Sequence, residues 1–218
     1  DYMAHLGIPH SSGYVLQNAI DPIEEHEKPT DEINLVYFST PHRGLDILVP
    51  VFETMKNEHF KHIKKPINLH VYSSFALYGW PERDEQHKAL LDKCKNTEGI
   101  IYHGSVPNDE MRENLKKMHI LAYPCVWPET SCISAIESMA AGCEIVTTNL
   151  GALNETCSPF GKIINFEKRP EDLEVKYSEA LLDSIKNFWS EKTQKKLKLQ
   201  RETINKTYSW DIRSAEWK

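Results

Sequence analysis

Short runs of β-branched and apolar residues alternate with stretches of helical periodicity along most of this chain. The first run is Ile33–Phe38, and apolar residues at near-helical spacing follow it over 45–55. The same order repeats to about residue 164, which is typical of βαβ units. Because crossovers between parallel strands are right-handed, helices must cover both faces of the sheet. The sequence therefore predicts an α/β fold, a Rossmann-like doubly wound parallel sheet with helices on both faces.

The predicted elements divide the chain into three parts. Strands are expected at 33–38, 67–72, 100–103, 120–123, 145–148 and 162–164, with helices at 84–95, 108–118 and 132–141 and a helical turn near 153. Residues 33–170 form the Rossmann-like domain. The acidic, proline-containing stretch before it predicts that 1–32 are the end of a preceding domain and a linker. Helices in 171–218 should pack on the domain or cross to a neighbouring one.

Composition and charge exclude some classes of protein. The 26 Lys and Arg against 32 Asp and Glu give a net charge of −6, so no cationic field attracts a polyanion, and no nucleic acid partner is expected. No stretch approaches the roughly 18 apolar residues of a membrane span. The five cysteines form no C-x-x-C pair, and we expect reduced, mostly buried thiols. A cytoplasmic location is the expectation, and the start at Asp1 predicts a piece of a longer protein.

Two loops that follow predicted strands carry the chemistry, because ligands of open parallel sheets bind beyond the carboxyl ends of the strands. The first runs from Ser39 through Thr40 and Arg43 to Gly44. Hydroxyls, a guanidinium that pairs with phosphate oxygens and a glycine that permits close approach of the backbone together favour a phosphate site. A polar loop with a solvated arginine is an equally good interpretation of this segment alone.

The second loop lies between the strand at 120–123 and the next helix, which should start at Ser131 or Cys132. Free N–H groups at that helix start favour a diphosphate. Glu137 lies within an otherwise apolar helix and needs a partner, which a ribose diol would supply. The alternative is a carboxylate bonded to nearby backbone or to an arginine.

Glu129, seven intervening residues, Glu137 and the following Ser-Met-Ala-Ala-Gly resemble the E-x7-E region of retaining GT-B glycosyltransferases, particularly glycosyltransferase family 4. Arg43-Gly-Leu, Tyr102-His-Gly104 and Asn18-Ala-Ile-Asp21 are similar to further segments of that family, in the same order. The resemblance extends over about 13–166.

This resemblance implies roles for individual residues. Glu137 would hold the ribose hydroxyls of a nucleotide-sugar, and Glu129 would contact hydroxyls of the transferred sugar. Arg43 would neutralise the distal phosphate as it leaves. The amides of Thr130, Ser131, Cys132 and Ile133 would face the diphosphate, and Gly104, Ser105 and Val106 would lie near the base.

The implied activity is that of a retaining, hexosyltransferase-type glycosyltransferase, with Glu129 and Arg43 as catalytic residues. The donor is a nucleotide diphosphate-sugar, a UDP-sugar first, and no metal or other cofactor is expected. The acceptor, a saccharide, lipid or protein, would bind an N-terminal domain that these residues lack. The chain alone would then bind donor weakly and turn over little or nothing. Peripheral membrane attachment through the missing half is left open.

The sequence departs from the family pattern at two places, and these departures leave other functions open. Phe38 occupies the position of a second basic residue, and Glu129-Thr-Ser-Cys replaces Glu-Gly-Phe-Gly. A non-catalytic nucleotide-sugar-binding or scaffold module is therefore the second hypothesis, and an epimerase or phosphorylase-like enzyme is the third.

Overall fold

The structure, a computed structural model, describes residues 5–217, apart from the side chain of His10. Its centre is a parallel sheet of six strands in the order β3-β2-β1-β4-β5-β6. The strands are β1 (Ile33–Phe38), β2 (Ile67–Tyr72), β3 (Ile100–Tyr102), β4 (Ile120–Tyr123), β5 (Glu144–Thr148) and β6 (Lys162–Ile164). The predicted Rossmann-like sheet is confirmed, with strand ends shifted by one residue at most.

Eight α-helices of the described residues cover this sheet. They are α1 (Leu45–Glu58), α2 (Lys88–Asn96), α3 (Asn108–Leu115), α4 (Ile133–Ala140), α5 (Leu153–Cys157), α6 (Pro170–Asn187), α7 (Glu191–Thr207) and α8 (Trp210–Glu216). Helix α1 packs against α6, and α4 packs against α7. Because β1 to β3 and β4 to β6 run outward in opposite directions, right-handed crossovers place α1 and α4 on opposite faces.

The segment between β2 and α2 differs from the expectation. A helix was predicted over 84–95, but Pro81–His87 is a 3₁₀-helix and α2 begins at Lys88. The reason lies in Asp84, whose carboxylate accepts hydrogen bonds from Ser74 Oγ at 2.5 Å and from the Phe75 N–H at 2.8 Å. Asp84 therefore ties the 3₁₀-helix Pro81–His87 to the end of β2.

The core is built from the strands of both halves of the sheet. Leu35, Val36, Ile120 and Val146 are fully buried, as expected of parallel strands covered on both faces. All five cysteines are buried and unpaired, as predicted. None of the helices among residues 5–217 combines the length and apolar character that a bilayer crossing requires.

Strands β1 and β4 are neighbours in the sheet although three helices and two strands separate them in the chain. The strand order reverses at this pair, which is the switch point where open α/β sheets form a crevice. The loops after β1 and β4 therefore lie side by side at the carboxyl edge.

Candidate functional site

A cavity of about 300 Å³ opens at this edge of the sheet, between the loops that follow β1, β3 and β4. Its volume is at the lower end of ordinary small-molecule sites. The predicted site residues that line it are Ser39, Thr40, Arg43, Gly104, Ser105, Val106, Glu129, Ser131, Cys132, Ile133 and Glu137. The fold therefore brings together residues that are almost one hundred positions apart. Gly44 and Thr130 do not line this cavity.

Arg43 and Glu129 are bound to each other at the floor of the cavity. Arg43 Nη1 donates to Glu129 Oε1 at 2.6 Å, and the Tyr123 hydroxyl donates to the same oxygen at 2.6 Å. Burial lowers the pKa of Arg43 but the Glu129 charge raises it, and the net direction is upward. Arg43 is thus a permanent cation held in one orientation, rather than a solvated arginine.

Three buried polar atoms of the β1 loop lack a hydrogen-bond partner within residues 5–217. They are Thr40 Oγ1, His42 Nδ1 and Arg43 Nε. A buried guanidinium N–H without an acceptor is unfavourable by about 1 to 3 kcal/mol, which an anionic ligand beside it would offset. The loop therefore has unused donors next to a fixed positive charge.

The start of helix α4 forms the opposite wall of the cavity. The N-cap residue is Cys132, whose side chain makes no capping hydrogen bond, so the first backbone N–H groups of α4 have no side-chain acceptor there. Cys132, Ile133 and Ser134 all line the cavity. Free amides at a helix start attract negative charge. The predicted start at Ser131 or Cys132 agrees with this geometry.

Glu137 lies one turn into α4, with its side chain 4% exposed. Its Oε1 accepts from Asn108 Nδ2 at 3.1 Å and lies 3.6 Å from Arg112 Nη1. Burial raises the pKa of the Glu137 carboxyl, although Asn108 and Arg112 oppose the shift. The alternative interpretation, in which Glu137 is bonded to an arginine, is met only in part. Arg112 is close to the carboxylate, but 3.6 Å is longer than a hydrogen bond.

Gly44 has a structural reason for being glycine. Its φ is 116°, and a Cβ there would lie 2.1 Å from the carbonyl oxygen of Pro124. The residue lets the β1 loop touch the β4 loop, and the expected approach of its backbone to phosphate stays a prediction. Gly151 plays a similar part, since a Cβ would lie 2.3 Å from the Glu129 carbonyl oxygen.

Residues 23–202 match the family model of glycosyl transferases group 1, which covers most of the chain. The chain belongs to this family. No curated protein matches it.

Solved structures that resemble this group 1 glycosyltransferase chain share its fold at low sequence identity. A glycosyltransferase from Rickettsia africae ESF-5 is 16% identical with a TM-score of 0.66, covering 86% of this chain and 46% of that one. WaaG, a glycosyltransferase involved in lipopolysaccharide biosynthesis, is 13% identical with a TM-score of 0.67, covering 99% and 58%. Anabaena Alr3699/HepE in complex with UDP-glucose is 12% identical with a TM-score of 0.61, covering 85% and 47%.

These comparisons establish the GT-B type of fold for this group 1 chain, with the C-terminal domain as the part that fits. The chain spans about half the length of these solved structures.

Several residues in or beside this cavity could not be singled out from the sequence. Tyr123 ends a fully buried strand, and nothing in its neighbours indicates that its hydroxyl reaches Glu129. Asn108 contacts Glu137 from 29 positions away. Phe38 was singled out as a departure from the family pattern, and it does line the cavity where a second cation was expected.

The loop after β2 forms a further wall of this cavity, and no sequence motif predicted its part. Ser74, Leu77 and Tyr78 line the cavity from this loop, and Leu77 and Tyr78 are more than half exposed. Hydrogen bonds to Asp84 hold the loop in place. Apolar side chains therefore flank one side of the opening.

Proposed function

We propose that this chain is the donor-binding half of a retaining glycosyltransferase that uses a nucleotide diphosphate-sugar. The observation that carries the proposal is the pairing of unused buried donors, Arg43 Nε and Thr40 Oγ1, with the uncapped start of α4 across one cavity. Positive charge and free donors on two sides of a cavity suit a diphosphate between them.

Arg43 and the start of α4 act on the leaving group. Cleavage of the bond from the anomeric carbon to phosphate leaves negative charge on the nucleoside diphosphate. A guanidinium already oriented by Glu129 and Tyr123 needs little reorganisation as that charge develops. The positive helix end stabilises the same charge from the other side.

Glu129 binds the transferred sugar through the oxygen that its neighbours leave unused. Both hydrogen bonds from Arg43 and Tyr123 go to Oε1, and within the described residues none reaches Oε2. Oε2 accepts from a sugar hydroxyl and fixes the sugar beside the cleaved bond. The acceptor then attacks from the face of the leaving diphosphate, with retention of configuration.

Glu137 accepts hydrogen bonds from the ribose diol, and the backbone at Ser105 and Val106 meets the base. Support for a nucleotide-sugar comes from the family and from a solved neighbour that contains UDP-glucose. UDP-sugars are the first choice of donor. The acceptor binds a domain outside these residues, so the chain alone binds donor weakly and transfers little or nothing.

The second hypothesis, a non-catalytic nucleotide-sugar-binding module, has its own supporting observation. Phe38 lines the cavity at the position of the expected second cation and supplies no charge there. Such a module would bind the donor and not cleave it.

Thermal shift of the 218-residue chain with UDP, GDP and ADP, with uridine as a phosphate-free control, tests donor binding. Ligands that bind only the folded state raise its melting temperature. We expect a nucleoside diphosphate to raise it and uridine to have no effect at equal concentration. Loss of the diphosphate shift in Arg43→Gln supports the assignment, and equal shifts by uridine and UDP refute it.

Hydrolysis of the selected nucleotide-sugar by a longer protein that contains this chain separates the two hypotheses. An enzyme hydrolyses it slowly, and Glu129→Ala or Arg43→Ala abolishes the reaction. Binding without hydrolysis favours the non-catalytic module.

A further inference from the structure

Asn18 joins the segment before β1 to the wall of the cavity. Its Nδ2 donates a hydrogen bond to Ser131 Oγ at 2.9 Å, across 113 positions of sequence. Ser131 lines the cavity immediately before the N-cap of α4. Among the residues that the structure describes, the segment before β1 makes no side-chain hydrogen bond to any other predicted site residue.

Asn18 is itself held by the last helix. Arg213 on α8 is 5% exposed, and its Nε donates to the Asn18 carbonyl oxygen at 3.2 Å. Its Nη2 donates to Gln17 Oε1 at 2.7 Å and to the Thr207 carbonyl at 3.0 Å. The Ile20 N–H also donates to the carbonyl of Tyr208 at 2.8 Å. Asn18 therefore has a fixed backbone from which its amide reaches Ser131.

The direction of the Asn18 hydrogen bond decides whether the Ser131 hydroxyl can donate a hydrogen bond to a ligand. A serine hydroxyl has one proton to donate and accepts through its lone pairs. Because Asn18 donates to Ser131 Oγ, the Ser131 proton points elsewhere, and within residues 5–217 it has no acceptor. A hydroxyl that accepts one hydrogen bond donates a stronger one, since such chains polarise each other. Ser131 is thus prepared as a donor toward the cavity.

We propose that Asn18 is a positioning residue that orients the Ser131 hydroxyl as a donor to a diphosphate oxygen, with Arg213 holding Asn18 in place. This inference rests on the proposed function and adds a residue to it. Donor affinity would then depend on how the segment before β1 lies against α8. A shift of that segment would withdraw the amide and weaken diphosphate binding.

Two substitutions distinguish this role from a general contribution to folding. Asn18→Ala removes the amide, and we expect the affinity for UDP or GDP to fall about tenfold. Asn18→Asp keeps the shape but accepts the Ser131 proton and adds a negative charge near the phosphates. It should therefore bind the diphosphate more weakly than Asn18→Ala does. The affinity for uridine or guanosine should change in neither variant.

Asn205→Ala is the matched control. Asn205 Oδ1 accepts from the Ile23 N–H at 2.8 Å, so this residue also holds the segment before β1, but it does not line the cavity. We expect Asn205→Ala to lower the melting temperature and to leave the ratio of diphosphate to nucleoside affinity unchanged.

Calorimetric titration of the whole chain with UDP, GDP, ADP and their nucleosides measures these affinities. The inference is overturned if the Asn18→Asp variant binds the diphosphate with wild-type affinity. It is also overturned if Asn18→Ala loses the same factor of affinity for the nucleoside as for the diphosphate. A wild-type chain that binds none of UDP, GDP and ADP refutes the proposed function instead, and the inference falls with it.

Discussion

Arg43 Nη1 lies 2.6 Å from Glu129 Oε1, although the two residues are 86 positions apart in the chain. The pair joins the loop after β1 to the loop after β4 at the switch point of the sheet. The Arg43 side chain is 23% exposed and the Glu129 side chain 7%. The ion pair is therefore more shielded from water than a surface pair. Because both residues belong to the proposed donor site, their substitution should affect the stability of the fold as well as donor binding.

A double-mutant cycle with Arg43→Met and Glu129→Gln should give a coupling of about 1 to 3 kcal/mol in the free energy of unfolding. Removal of one partner leaves a largely buried charge unpaired, and this destabilises the folded state strongly. Urea denaturation measures the four proteins. The exposed pair Lys195 and Glu191 serves as the control, and its cycle should give less than about 0.5 kcal/mol. Similar couplings for both pairs would contradict the expectation.

Glu137→Gln should stabilise the fold at pH 7 while it weakens binding of the nucleotide. Burial raises the pKa of this carboxyl, so the ionised form that dominates above the folded pKa costs stability. That cost disappears as the pH falls below the unfolded value of about 4.5. The advantage of Glu137→Gln should therefore shrink toward pH 4.

Melting curves from pH 4 to 8 test the expectation for Glu137, with the exposed Glu113→Gln as control. The pKa of Glu113 is lowered by its hydrogen bond with Lys116, so its substitution should bring no gain. A loss of stability in Glu137→Gln at pH 7 would mean that the contacts with Asn108 and Arg112 outweigh desolvation. UDP titration at pH 7 measures the second half of the prediction.

The fold could be predicted from the sequence because the patterns that specify it are local. Strand and helix periods, and the loops that separate them, are properties of ten to fifteen neighbouring residues. The start of α4 was predictable for the same reason. The segment over 75–87 was not, since its form depends on contacts of the Asp84 side chain with Ser74 and Phe75, about ten residues away.

The partners of the site residues could not be read from local pattern. Arg43 and Glu129 were each singled out, but their mutual hydrogen bond depends on the adjacency of β1 and β4. Tyr123 looks like any other core residue until its hydroxyl is placed beside Glu129. Spacing identifies candidate residues, whereas the register of distant strands decides which of them meet.

Acid should destabilise the protein through His119, which is fully buried. Its Nδ1 accepts from the Asn34 N–H at 2.9 Å, so the proton is on Nε2, which donates to the Pro29 carbonyl at 2.9 Å. Burial lowers its pKa from 6.5 to about 4. The unfolded chain therefore binds a proton before the folded one, and stability falls as the pH drops from about 6.5 to 4.

The loss attributable to His119 should reach about 3 kcal/mol at pH 4, from the difference between the two pKa values. Urea denaturation at several pH values measures the slope. In His119→Gln the slope between pH 6.5 and 4 should be shallower than in wild type, and an equal slope would contradict the expectation. His70, whose pKa is also lowered to about 4 by burial and His103, supplies a remaining part of the slope.

Gly44→Ala should destabilise the fold far more than Gly79→Ala, although both glycines have positive φ. The φ of Gly44 is 116° and that of Gly79 is 74°. A Cβ at Gly44 would lie 2.1 Å from the Pro124 carbonyl oxygen, whereas nothing lies within 4 Å of one at Gly79. Backbone strain alone costs about 1 to 2 kcal/mol, which is the expectation for Gly79→Ala.

The additional overlap at Gly44 pushes the loop after β1 away from the loop after β4, and backbone atoms on both sides leave no flexible side chain to yield. We expect Gly44→Ala to lose more than about 3 kcal/mol and to lose diphosphate binding, because Arg43 precedes it. Urea denaturation and UDP titration of both variants measure this. Equal destabilisation by the two substitutions would show that φ alone sets the requirement for glycine and that the close approach of the two loops contributes nothing.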